Sequence, residues 1–221
     1  MPQETELKLA VHPQDLPRLL AHPLLTSSPP KQQRLRNTYY DTAALDLMQR
    51  RMAVRERQIG GRTLLTVKTA GQSVGGLSRR GEWEAPTEPG QFDFATLVDD
   101  AVLCAELSAL ASQLLPVFQT DFVRRSWLLQ HGAAVVEVAL DQGHISSTAR
   151  PGAPAEAILE LELELKEGEA EALFELAKAL ADGPPDSAGG LRLQPSDRSK
   201  AERGYDLFCG RSPGAVDAPS V

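Results

Sequence analysis

Ala157-Ile158-Leu159-Glu160-Leu161-Glu162-Leu163-Glu164-Leu165-Lys166 is the stretch whose reading decides the fold. Strand residues two apart share a face. Read as a strand, this segment puts Glu160, Glu162, Glu164 and Lys166 on one face and Leu159, Leu161, Leu163 and Leu165 on the other. A sheet with one face on a core and one in water gives the same alternation. Yet Glu has modest β propensity, and a row of like charges on one face repels. Such a row is better placed where cations from other strands face it.

Other segments supply those cations with the same period. Glu4 to Val11 alternates Glu4, Glu6 and Lys8 with Leu7, Leu9 and Val11. Ala53 to Ile59 aligns Arg55 with Arg57, and Thr63 to Thr69 aligns Thr66 with Lys68. Arg79 to Ala85 aligns Arg80, Glu82 and Glu84, and Ala133 to Asp141 aligns Glu137 with Asp141. Gln32 to Tyr40 and Val117 to Gln130 complete eight strands, and Gly143 to Thr148 reads as a further short one. Gly60-Gly61 and His131-Gly132 mark hairpin turns. Helices are expected at Pro13 to His22, Phe94 to Leu115, Glu169 to Ala181 and Ser196 to Phe208. Thr42 is expected to N-cap a short helix through Met48. Gly71 to Gly76 reads as a flexible loop near a tunnel mouth. It lacks the lysine and the following helix of a phosphate-binding P-loop.

Hairpin-linked strands with helices to one side give an α+β fold with an antiparallel sheet, and long antiparallel sheets commonly close into barrels. With helices on the leucine face and charges facing inward, the expectation is an eight-stranded closed antiparallel β-barrel, a tunnel with a charged lumen and helices packed outside. Buried charges need opposite charges or metals. Carboxylates on a rigid frame are the ligands that Mg²⁺ and Mn²⁺ prefer. Arginine and lysine suit phosphate oxygens. A lumen carrying both is suited to a metal-polyphosphate complex.

Composition agrees with an ordinary globular chain: of 221 residues, 42% are hydrophobic and 24% charged. The net charge of −7 argues against a nucleic-acid partner. No apolar run approaches the roughly 20 residues of a membrane span. The start runs straight into a strand, without the regions of a secretory leader. The cysteines, Cys104 and Cys209, lie far apart and suit free thiols in a reducing cytoplasm. The cytoplasm is therefore the expected location. One domain is expected over residues 1–209, followed by a disordered tail over 210–221. His12, His22, His131 and His144 have no ligand spacing and read as surface residues; Tyr39 and Tyr40 read as packing residues, and Trp83 and Trp127 as anchors of strands against helices.

Glu4-Thr5-Glu6-Leu7-Lys8 resembles the ExExK signature of the CYTH family, also called triphosphate tunnel metalloenzymes. The likeness continues in order through Tyr39-Tyr40-Asp41-Thr42, Val54-Arg55-Glu56-Arg57, Thr66-Val67-Lys68, Gly75-Gly76-Leu77 and Glu82-Trp83-Glu84. It runs on through Thr120-Asp121-Phe122 with Arg124, Ala139-Leu140-Asp141-Gln142-Gly143, Glu160-Leu161-Glu162, Ser199-Lys200-Ala201 and Arg203-Gly204-Tyr205. Within the family the chain is most similar to bacterial inorganic triphosphatases. The resemblance implies a Mg²⁺ or Mn²⁺ requirement and a triphosphate substrate. It implies Glu4, Glu6, Asp141, Glu160, Glu162 and Glu164 as the acids from which metal ligands are drawn, with two of the last three ligating. It implies Lys8, Arg55, Arg57, Lys68, Arg124 and Lys200 as phosphate-binding bases, with Arg36 and Arg80 as additional ones and Glu82 as an inward acid. The expected reaction is hydrolysis of inorganic triphosphate to phosphate and pyrophosphate. One metal would bridge phosphate oxygens and a second would activate water. Thiamine-triphosphate hydrolysis, adenylate cyclisation on the same scaffold and a non-catalytic polyphosphate-binding module are the alternatives.

Overall fold

The structure is a computed structural model and describes residues 2–149 and 152–211. Ten strands are β1 (Gln3–Val11), β2 (Lys31–Asp41), β3 (Ala53–Ile59), β4 (Arg62–Lys68), β5 (Gln72–Val74), β6 (Leu77–Thr87), β7 (Leu115–His131), β8 (Ala134–Ser147), β9 (Glu156–Glu167) and β10 (Leu193–Pro195). Eight of them run in the order β1-β9-β8-β7-β2-β3-β4-β6. Antiparallel pairing of Gln3–Leu7 of β1 with Gly81–Leu77 of β6 closes the ring. The two short strands attach beside it, β5 on β6 and β10 on Leu9–Val11 of β1. The turn at Gly60-Gly61 has positive φ at both residues, the geometry that a tight hairpin needs and glycine supplies freely.

The leucine faces point outward and are covered. Leu7, Leu9, Leu161, Leu163, Val136, Val138 and Leu140 pack against Leu19 of α1 (Leu16–Leu20), Leu25 of α2 (Pro23–Thr26) and Leu173, Leu176 and Leu180 of α6 (Glu171–Asp182). On the other flank Val54, Leu65, Val67 and Trp83 meet Leu47 of α3 (Asp46–Gln49), Phe94 of α4 (Phe94–Leu97) and Leu107 of α5 (Ala101–Leu110). The last helix, α7 (Lys200–Cys209), is placed differently. It packs against side chains that face into the barrel at one end: Leu35, Tyr39, Phe118, Phe122, Ile145 and Ile158. The inner surface therefore has an apolar end under α7 and a charged remainder.

Several expected elements differ in extent. Gly143 to Thr148 continues β8, since Gly143 to Ser147 keep the β7 ladder without a break. The single helix over Phe94 to Leu115 divides into α4 and α5. Asp99 accepts the Trp83 indole N–H at 2.7 Å, and Asp100 caps α5 by accepting from Leu103 N at 2.9 Å. Leu115 already belongs to β7. The Pro13 to His22 helix begins as a 3₁₀ turn, and His22, which is buried, caps α2 through Nδ1. Asp41, more than Thr42, caps α3: its carboxylate accepts from Leu47 N at 2.9 Å and Met48 N at 3.0 Å. The loop at Gly71 to Gly76 contains β5 and is tied down by Asp197, which accepts from Ser73 Oγ at 2.7 Å and Gly76 N at 2.9 Å. Of the expected tail, residues 212–221 lie outside the described residues. Among the described residues, no helix is long and apolar enough to cross a membrane, and Cys104 and Cys209 are free.

Candidate active site

The charged part of the barrel encloses a cavity of about 870 Å³. Strand alternation places Glu4, Glu6 and Lys8 of β1, Arg55 and Arg57 of β3, and Lys68 of β4 in its wall. Arg80, Glu82 and Glu84 of β6, Arg124 of β7 and Glu162 and Glu164 of β9 join them, with Lys200 from α7. Cross-strand register sets their order along the axis: Glu6 lies opposite Glu164, Lys8 opposite Glu162, and Ala10 opposite Glu160. On β8, Glu137 faces Glu164 and Asp141 faces Glu160.

At the α7 end the charges are matched. The Lys200 ammonium donates to Asp141 Oδ2 at 2.8 Å, to Glu162 Oε1 at 2.6 Å, and to Glu160. Arg124 donates to both oxygens of Asp141, at 2.8 and 2.7 Å, and to Glu162 Oε2 at 2.8 Å. Burial alone would raise the Glu162 carboxyl, but Lys200, Arg124 and Lys8 hold it well below the usual range. Lys200 and Arg124 also stand over the Phe122 ring, 4.9 and 5.7 Å from its centre. Lys200 is carried there by a capping box: Ser199 Oγ accepts from Glu202 N, and Glu202 accepts from Ser199 N at 2.7 Å. Gly204 lets α7 approach, because a Cβ there would sit 2.1 Å from the Phe118 ring. Tyr205 fixes the helix by donating to Asp41 Oδ2 at 2.7 Å.

Elsewhere along the lumen the charges are not matched. Glu6 is 6% exposed and has no cation within ion-pair distance among the described residues. Burial, then Glu162 and Glu4, push its carboxyl above the ordinary value. Glu4 shares Lys68 with Glu82, at 2.9 and 3.4 Å. Glu164 is paired with Lys166 at 2.8 Å, and burial raises its carboxyl too. On the facing wall Arg57 donates through Nε to Asn37 Oδ1 at 2.9 Å and meets no carboxylate within ion-pair distance among the described residues. Burial, Arg55 and Arg124 together pull it down to about 10. Arg80 Nε is buried without a hydrogen-bond partner among the described residues. Among the described residues, Lys8 donates only to the Arg198 carbonyl, at 3.4 Å.

The structure therefore brings together most residues expected in the site. Asp141 and Glu160 share that inward face but are buried beneath Lys200 and do not line the cavity. Arg36 is not brought there. It points outward from β2 and pairs with Asp121 at 3.6 Å, because β2 turns its odd residues inward. Tyr39 has a role beyond packing: its hydroxyl accepts from Arg55 Nη1 at 3.4 Å, and Arg55 and Arg57 offset the burial and lower its pKa. Glu84 accepts from Thr66 Oγ1 at 2.7 Å and lies 3.8 Å from Arg55. Asn37, Glu84 and Arg203 had no assigned role in the sequence reading; the alternation of Glu82 with Glu84 was the available signal for one of them.

Fold and site define an antiparallel β-tunnel whose enclosed lumen presents carboxylates and bases to one cavity. The chain belongs to the CYTH family, whose domain model matches residues 2–205. It is 35% identical over 217 residues to an inorganic triphosphatase of Haemophilus influenzae, covering 94% of this chain and 55% of that protein. The chain thus spans about half the length of that curated relative. The same fold occurs in a Hippeastrum adenylyl cyclase candidate described as having a dominant triphosphatase activity, with TM-score 0.66, 20% identity, and coverage of 95% of this chain and 97% of that one. It occurs also in a Bacillus halodurans protein provisionally named an adenylate cyclase, with TM-score 0.56, 19% identity, and coverage of 93% and 100%.

Proposed function

We propose that the protein is a metal-dependent inorganic triphosphatase. One observation carries the reading: the same cavity holds a buried carboxylate, Glu6, with no cation within ion-pair distance among the described residues, and a half-buried guanidinium, Arg57, with no carboxylate within that distance. Each imbalance is costly in a site of low dielectric. A single ligand with both signs of charge, a divalent cation on a polyphosphate, corrects both. The triphosphatase name of the curated relative supports the reaction.

The donor set fits a hard divalent cation. Glu4, Glu6 and Glu164 offer carboxylate oxygens in the unmatched part, with Glu162 bordering it, and no thiolate or imidazole lines the cavity among the described residues. These residues would hold Mg²⁺ or Mn²⁺, which when bound neutralises phosphate charge and lowers the pKa of water. The chain's own side chains do the rest. Arg57, Arg80 and Lys8 bind phosphate oxygens, Arg57 fixed by Asn37. Arg55, held by Tyr39 and by Glu82 at 3.9 Å, supports that row. Lys200 and Arg124 stabilise negative charge on the departing pyrophosphate. Positioning and electrostatics of this kind are the main contributions to phosphoryl transfer.

Inorganic triphosphate is favoured over nucleoside or thiamine triphosphates by the state of the aromatic rings. Tyr39 is stacked on Phe118 at 4.5 Å, and Phe122 is covered by Lys200 and Arg124. Neither offers a free face to a base or thiazolium ring. The test is incubation of purified protein and Mg²⁺ with tripolyphosphate, thiamine triphosphate and ATP in separate reactions. Phosphate and pyrophosphate are expected from tripolyphosphate. Cyclic AMP from ATP, or tight binding without any product, contradicts the proposal.

A further inference from the structure

We propose that Asp141 and Glu160, with Glu162 shared, form a seat for the Lys200 ammonium and are not a divalent-cation site, and that Arg203 is the positioning residue behind that seat. The role of Lys200 toward substrate rests on the triphosphatase reading; the seat itself does not.

Oxygens of Asp141, Glu160 and Glu162 lie within 4.8 Å of one another, the kind of grouping that could surround a metal. Here the centre of the grouping is filled. Lys200 Nζ contacts all three carboxylates, and Arg124 takes both Asp141 oxygens and the second oxygen of Glu162. Arg203 closes the outer side: it donates to Glu156 Oε1 at 2.8 Å, to Glu160 Oε2 at 3.4 Å and to the Ala157 carbonyl at 2.5 Å. Four carboxylates, Glu156 included, thus meet three cations, and Asp141, Glu160 and Lys200 are 0, 4 and 7% exposed.

A metal entering this grouping would have to expel an ammonium that is tethered beside it at high effective concentration. It would leave that ammonium buried and unpaired, a large penalty. The placement of Lys200 points the same way. It is the first residue of α7, where the helix dipole disfavours a positive charge. The capping box and Gly204 nevertheless fix the helix so that Lys200 points into the barrel. The carboxylates are the compensation that makes this position stable. In this arrangement Asp141 and Glu160 act through Lys200, holding its ammonium at the edge of the cavity, and Arg203 keeps Glu160 turned toward it.

The experiment is a Mn²⁺ titration of the full chain followed by the paramagnetic resonance of free Mn²⁺, without triphosphate. Glu160→Gln and Arg203→Met are expected to bind Mn²⁺ with wild-type stoichiometry and affinity. Lys200→Ala empties the seat and is expected to gain one site per chain. A loss of ~10-fold or more in Mn²⁺ affinity in Glu160→Gln, the scale of a lost metal-site contact, overturns the proposal; so does a folded Lys200→Ala that gains no site. Should Lys200→Ala not fold, the Glu160→Gln titration decides. With tripolyphosphate, Arg203→Met is expected to lower kcat without moving the half-saturating Mn²⁺ concentration, and Arg203→Lys to restore most of it; an unchanged kcat removes the positioning role. If the wild type turns over no triphosphate while the titrations behave as expected, the triphosphatase reading fails and the seat stands.

Discussion

Two sets of charges in the lumen use the same residue types and reach opposite states. At the α7 end, Asp141, Glu160 and Glu162 are each paired with Lys200, Arg124 or Arg203, the last shared with Glu156. Elsewhere in the lumen, Glu6 has no cation and Arg57 no carboxylate within ion-pair distance among the described residues. The contrast separates charges paired within the protein from charges with no close partner of opposite sign. A buried ion pair with good geometry is close to neutral energetically, whereas an unmatched one is a liability unless something binds there. Residue type alone does not distinguish the two; the neighbours do.

Several substitutions break or sharpen this contrast. The largest effect is expected from Glu6→Gln, which keeps shape and removes the unmatched charge. Turnover of tripolyphosphate should fall at least ~100-fold, the scale of one lost electrostatic contributor; wild-type turnover would remove Glu6 from the metal site. Arg57→Ala comes next. It should raise KM for tripolyphosphate by about 10- to 100-fold, the range for one charge-assisted hydrogen bond, with a smaller change in kcat; steady-state kinetics read the split. Gly204→Ala tests how the matched end is built. The new methyl would collide with Phe118, and overpacking of this kind costs about 1–3 kcal/mol, visible as a lower Tm together with reduced turnover as Lys200 shifts.

The smallest effect lies away from both sets. Arg192 donates to Asp15 Oδ2 from its backbone N at 2.8 Å and from Nε at 2.9 Å, which holds the Asp15 carboxyl down at about 2. A carboxyl depressed below its unfolded value of about 3.9 contributes stability above that value and loses it as the pH falls toward 2. Asp15→Asn should therefore be less stable than the wild type near neutrality, with the difference shrinking on acidification through this window, as denaturant melts at several pH values would register.

Much of this was legible in the sequence because a strand alternates its faces strictly. The Glu160-Leu161-Glu162-Leu163-Glu164 run and Glu4-Thr5-Glu6-Leu7-Lys8 show the phase directly, and the structure keeps it. Arg36 shows where that logic stops. On β2 the inward residues are Gln33, Leu35, Asn37 and Tyr39, because α7 supplies an apolar neighbour inside the barrel. A rule that turns charges inward therefore picks the wrong face on that one strand. The division of the Phe94 to Leu115 segment depended on the bond from Trp83 to Asp99, across 16 positions. The seat of Lys200 depended on Asp141 and Glu160, which are 59 and 40 positions away. Contacts at such separations leave no periodic trace in one sequence. β10, only three residues ending in a proline, also gave no strand signal.

The most direct test of the central claim is the affinity of a non-hydrolysable triphosphate analogue, measured by calorimetry with and without Mn²⁺, in wild type and in Glu6→Gln. If one ligand answers both imbalances, Mn²⁺ tightens analogue binding in the wild type, and Glu6→Gln abolishes that gain while Mn²⁺-free binding through Arg57 persists. Equal affinity in all four measurements, or an undiminished Mn²⁺ effect in Glu6→Gln, would contradict it.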